Sequence, residues 1–246
     1  STSETGHAQN VANLEKLIVY CTGYGAKYNP AKASLKLSSL NTLLASARSS
    51  LQALKASQSV YNSATNLREE AFKPLKPIAT KIVNAMAVSG ALKQNVDDAK
   101  TANMKIQGKR AVAIKKPEAT DTEAAVAEPE VKTSSVSQQS YNKQIDNFEH
   151  LIHALNVEPN YTPNEEELQL PSLNTRLIDL KSKNSDVVNA ESNLSNARIA
   201  RNSILYAEGT GLVDVCLDIK NYVKSVFGAT SPQYKQVSDV KFTKAK

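Results

Sequence analysis

The chain has 246 residues and a formal net charge of +6, with 8 Gly, 9 Pro, 2 Cys and no Trp. That length can bury a sizeable core, and much Ala, Leu, Ser, Asn and Lys with little Gly and Pro suits helices better than many short strands. Two cysteines make no disulfide framework, and no run approaches the eighteen or so apolar residues of a membrane span.

In chain order, residues 1–9 are polar and are expected to be a disordered N-terminus. Val11, Leu14, Leu17, Ile18 and Cys21 then predict a first helix from Asn10 to the Gly23, Tyr24, Gly25 punctuation. Asn29 can cap a helical turn and Pro30 can open it. From residue 37 to 72, spacings of three and four pick out Leu37, Leu40, Leu44, Ala47, Leu51, Leu54, Gln58, Tyr61, Thr65, Arg68 and Phe72. Such a helix would be roughly 50 Å long, so it needs neighbours along its flank. Pro74 and Pro77 should end or kink it. A returning helix is expected over 78–88 and a shorter one over 92–106.

The same plan returns 133 positions later. Between 28–44 and 161–177 nine of seventeen residues are identical, among them Tyr28/Tyr161, Pro30/Pro163 and the run Ser39 to Thr42 against Ser172 to Thr175. Chance would give roughly one, so an internal repeat is inferred. Thr162, Pro163 and Glu165 have the spacing of a capping box. Pro171 marks the start of a second long helix, 170–205, and Gly209 to Gly211 mark its end; returning helices are expected over 212–227 and 233–240. The fold class expected is all-α, an elongated helical bundle with a coiled-coil-like seam, built from two pseudo-symmetric repeats with very long central helices. The boundaries are 10–107 for repeat one and 134–241 for repeat two, sharing one core, with a basic tail at 242–246.

Between the repeats, 108–133 runs from Lys109, Arg110, Lys115 and Lys116 to Glu118, Asp121, Glu123, Glu128 and Glu130, and its apolar content is mostly Ala and Val. Such a segment reads as a flexible charged linker. Charge is unevenly placed. Residues 10–107 carry 13 basic against 5 acidic side chains, and 134–246 carry 12 against 13. The basic repeat could attract an anion or nucleic acid, but its lysines have no aromatic interleaving, and a solvated face is the simpler account.

Few residues suggest chemistry. Asp146, His150 and His153 fall at i, i+4 and i+7, where a helix could set them around a metal, yet no Glu-x-x-His or HExxH accompanies them and repeat one lacks the set. Arg68 and Arg201 occupy the same seam position, with Thr65 and Arg198 alongside. They read as ion pairs that pin register, or else, with Lys109 and Arg110, as an anion or partner contact. Asp97, Asp98 and the run Glu165 to Glu167 do not form an acid and base pair, and no GxSxG elbow or phosphate loop is present. Cys21 and Cys216 read as small apolar packing residues. No catalytic residue and no cofactor is expected.

The stretch Tyr20, Cys21, Thr22, Gly23, Tyr24, Gly25, through Tyr28, Asn29, Pro30 to Asn41, Thr42, Leu43, Leu44, resembles a group of uncharacterised bacterial helical proteins. The resemblance implies no function and no site residues. The expectation is a non-enzymatic helical binding or scaffold protein that acts through a protein partner or self-association. The alternatives are a membrane-active helical protein or toxin, and an anion or nucleic-acid binder using the basic repeat. Ser1 followed by Thr2 fits a cytoplasmic chain without its initiator Met, as it also fits a trimmed secreted form.

Overall fold

The computed structural model describes residues 4–109 and 139–243. Among them the fold is all-α: α1 Glu4–Gly23, α2 Leu37–Phe72, α3 Leu75–Val88, α4 Lys93–Gln107, α5 Tyr141–Asn156, α6 Leu170–Tyr206, α7 Leu212–Phe227 and α8 Pro232–Ser238. α2 runs for 36 residues and α6 for 37. Their ends have local causes. Pro74 caps α3 and Pro77 lies in its first turn, where a missing N–H is harmless, so the chain breaks at Lys73 and restarts at once. After α6, Gly209 adopts φ +70°, and a Cβ on Gly211 would lie 2.5 Å from the Ala207 nitrogen, so only glycine allows that turn. Ser140 and Ser231 cap α5 and α8, accepting from the Lys143 and Tyr234 amides.

The chain divides into two compact units. The first comprises Ser1–Asn62 and Asn189–Lys246, the second Ser63–Val188. In the first, Leu14, Leu17 and Cys21 of α1 pack with Leu40, Leu44 and Ala47 of α2, Leu205 of α6, and Val215, Cys216, Ile219 and Val223 of α7. In the second, Phe148, Leu151 and Leu155 of α5 pack with Leu173, Leu177 and Leu180 of α6, Leu75, Ile82 and Met86 of α3, and Ala99 and Ile106 of α4. Burying each such Leu or Phe side chain contributes on the order of 1.5–3 kcal/mol. The buried apolar residues thus form two clusters, one in each unit. An amphipathic stripe says that a helix has a covered face, but not which other stretch covers it.

Other boundaries also differ. α1 begins at Glu4, so residues 4–9 of the expected disordered terminus are helical. His7 and Asn10, polar in sequence, are buried. His7 Nδ1 hydrogen-bonds the Tyr206 hydroxyl at 2.6 Å, and Asn10 donates to the Thr243 carbonyl at 2.8 Å and accepts from its amide at 3.0 Å. The same bonds hold Thr243 of the expected basic tail on α1. Gly108, at φ +78°, ends α4 with its amide on the Lys105 carbonyl; the rest of the expected linker, from residue 110 to 133, lies outside the described residues.

Candidate binding groove

In the second unit a groove of about 590 Å³ runs between α3 and the segment that joins α5 to α6. Pro163 disfavours helical backbone at Thr162 in the joining segment, whose fold is held by Tyr161. The Tyr161 ring is only 5 % exposed, its amide donates to the Glu158 carbonyl at 3.1 Å, and its hydroxyl donates to the Leu168 carbonyl at 2.9 Å. Burial, with the Glu165 carboxylate adding to it, pushes the phenol up to about 12, so it remains a donor at physiological pH. The capping box expected at Thr162 and Glu165 does not form. The only helical turn there is the 3-10 turn Glu166–Leu168, whose capping residue Glu165 makes no side-chain cap. The tyrosine bond across the loop leaves Thr162 and Pro163 outside any helix.

One end of the groove is stitched by Glu158. Its buried carboxylate accepts from the Leu92 amide at 3.2 Å, the Asn95 side chain at 3.0 Å and the Asn160 amide at 3.3 Å, while Asn160 donates to the Gly90 carbonyl at 3.1 Å. The Asn95 bond, with the two backbone bonds, holds this carboxyl below the usual carboxylate value. The α3–α4 turn and the end of α5 are therefore fastened together, and each presents a large apolar side chain: Val88 is 86 % exposed, Leu92 66 % and Val157 70 %. At the other side Lys81 meets Glu167 at 2.7 Å, a half-exposed pair whose hydrogen bond keeps the Glu167 carboxyl low.

None of the candidate metal, anion or partner residues lines this groove, whereas Tyr161, Thr162, Pro163, Glu165 and Glu167, noted in the sequence for the repeat, the capping box and the acidic run, do. Arg68 and Arg201 belong to different units. The Arg68 guanidinium lies 4.0 Å over the Tyr141 ring and donates to Asn184 Oδ1 at 3.3 Å; among the described residues it meets no carboxylate, and its buried Nε has no acceptor. The expected ion pair at Arg68 is thus replaced by stacking on an aromatic face. Arg201 is buried and donates from Nε and Nη2 to Asn202 Oδ1 at 3.1 and 2.9 Å. Arg198 is exposed and reaches Gln58 Oε1 at 3.4 Å. Lys109 is exposed just past α4, and Arg110 lies outside the described residues. Asp146, His150 and His153 are all exposed, Asp146 pairs with Lys143 at 3.3 Å, and no metal-holding group of His, Cys, Asp and Glu forms among the described residues. Side chains spread over an open helix face have nothing opposite to draw them together. Cys21 and Cys216 are free and buried, and burial pushes the Cys21 thiol up to about 11 and Cys216 higher. The groove residues gave little warning of a site in the sequence: Tyr161 stood out as a repeat identity, Pro163 as that and, with Thr162 and Glu165, as a capping box, and Glu158 not at all.

The fold and groove define an all-α protein in which no helix among the described residues is long and apolar enough to cross a membrane. No protein-family model, curated protein or solved structure matches the chain.

Proposed function

We propose that the chain is a duplicated helical scaffold that binds a protein partner or a second copy of itself, and that it is not an enzyme. The duplication is supported by matched local bonds. The Tyr28 hydroxyl donates to Leu35 as Tyr161 donates to Leu168, Ala33–Leu35 and Glu166–Leu168 are both 3-10 turns, and Asn41 and Asn174 donate back to Leu37 and Leu170. In this reading each unit joins the opening elements of one repeat to the returning helices of the other.

The observation that carries the binding role is the cluster Val88, Leu92 and Val157 on the rim of the second unit. Three large aliphatic side chains, each about two-thirds exposed or more, stand at helix ends and turns that Glu158 ties together, and exposed apolar side chains held on neighbouring turns suit an interaction surface. The test is light scattering of the full chain over a range of concentrations, with a pull-down, for the wild type and for Val88→Ser, Leu92→Ser, Val157→Ser combined. Association or a retained protein that the triple variant loses supports the reading. A strict monomer that retains nothing more than the variant does overturns it.

A further inference from the structure

The groove has a counterpart in the first unit that is already filled. Tyr222 of α7 stands edge-on to the Tyr28 ring, with centroids 5.3 Å apart and planes at 90°, and its hydroxyl accepts the Asn29 amide at 3.1 Å. One turn earlier Asp218 meets Lys32 at 2.6 Å. In the second unit Tyr161 stands for Tyr28 and Thr162 for Asn29, and the Lys81–Glu167 pair stands for Asp218–Lys32 with its charges exchanged. Four residues beyond Lys81, where α7 has Tyr222, α3 has Ala85; a further turn on is Ser89. Both line the groove and neither can supply a ring. The consequences are visible in the cover. Pro30, beside the filled place, is buried, whereas Pro163 is half-buried. The Thr162 amide, which corresponds to the donor that Tyr222 satisfies, has no acceptor among the described residues, and the amide side chains of Asn84 and Asn164 on the groove walls also have no hydrogen-bond partner there.

We infer that this groove binds a tyrosine side chain presented by an extended segment of a protein partner. The ring stands over Ala85, beside a Tyr161 that is already covered, and its hydroxyl accepts from the Thr162 amide, as the Tyr222 hydroxyl accepts from the Asn29 amide in the first unit. The ring removes apolar area from water against Ala85, and the hydroxyl satisfies a donor otherwise left to water. A peptide is the source, not a free phenol, because the groove, at about 590 Å³, is larger than one ring and is lined along residues 160–165 as well as by α3. Asn84 and Asn164 offer amide groups that suit a peptide main chain, and Val88 on its rim can cover a neighbouring apolar residue. The inference rests on the scaffold reading and names what one of its surfaces takes.

The test uses the full chain and capped peptides Ser-Asn-Xaa-Ser-Val with Xaa as Tyr, Phe or Ala, followed by amide and methyl NMR shifts. The tyrosine peptide should shift the Thr162 amide and the Ala85 methyl. Phe should bind roughly threefold to tenfold more weakly, as loss of one hydrogen bond predicts, and Ala should give no saturable shift. Ala85→Tyr, with unchanged helicity by circular dichroism, should abolish the response by plugging the groove, and Tyr222→Ala should add a second site reported by the Asn29 amide. Equal binding of the Tyr and Ala peptides, an Ala85→Tyr protein that still binds, or p-cresol matching the peptide at equal concentration would overturn the inference. If Ala85→Tyr leaves partner binding intact while the Val88, Leu92 and Val157 variant loses it, the tyrosine site fails and the scaffold reading stands.

Discussion

Replacing Tyr161 by Phe removes one hydroxyl and leaves the ring in place. That hydroxyl makes a 2.9 Å bond to the Leu168 carbonyl inside a residue pair that is 5 % and 6 % exposed, and among the described residues the carbonyl has no other donor. A net hydrogen bond is worth about 0.5–1.5 kcal/mol, and a buried carbonyl left alone costs about 1–3 kcal/mol, so the substitution should destabilise the second unit by about 1–2 kcal/mol. Tyr28→Phe removes the 2.8 Å bond to Leu35 and also the contact with the Cys21 thiol, so its cost should be equal or slightly larger, in the first unit. Native-state hydrogen exchange reads the units separately through the amides of Leu17 and Leu151, which belong to the two different cores. Each substitution should lower protection in its own unit. The double variant should show the sum to within about 0.5 kcal/mol, since the two hydroxyls share no partner. A cost below about 0.3 kcal/mol for Tyr161→Phe would refute the reasoning that this bond, and not the ring packing, holds the joining segment.

Arg68→Met should leave stability within about 1 kcal/mol of wild type or raise it, because the stacking lost is worth about 0.5–1 kcal/mol while the unpartnered Nε that disappears costs about 1–3 kcal/mol; urea denaturation checks this. Phe148→Ala, at a fully buried site, should cost about 3–5 kcal/mol in the same assay. Because the Glu158 carboxyl is held below its ordinary value of 4.5 in the folded chain, its contribution is complete above that pH and is lost as pH falls through the lowered folded value. Glu158→Gln should therefore flatten the acid limb of a stability profile, and an unchanged limb would count against the clasp. Cys21 and Cys216 should resist a thiol reagent in the folded protein near about pH 8, where their buried thiols stay protonated, and should both react in denaturant.

Much of the helical layout was legible because its causes are local. The three-and-four spacing of Leu40, Leu44 and Ala47, and of Leu173, Leu177 and Leu180, specifies long amphipathic helices. Pro74 and Pro77 end one by removing donors, and Gly209 and Gly211 end the other because only glycine allows the turn that follows it. What covers each stripe was not local. Leu14 is in a core with Ile219, two hundred residues away, and Phe148 is in one with Ile82, pairings that depend on which chain segments meet and not on the pattern either carries. The burial of His7 and Asn10 was not local either, since Tyr206 and Thr243 supply their partners. The groove is the clearest case. Repeat identity pointed to Tyr161 and Pro163 from composition of sequence alone, but Ala85 became meaningful only when α3 lay beside them, leaving space where the other unit has Tyr222. Periodicity and backbone chemistry are written residue by residue; a vacancy exists only between surfaces, and folding decides which surfaces face each other.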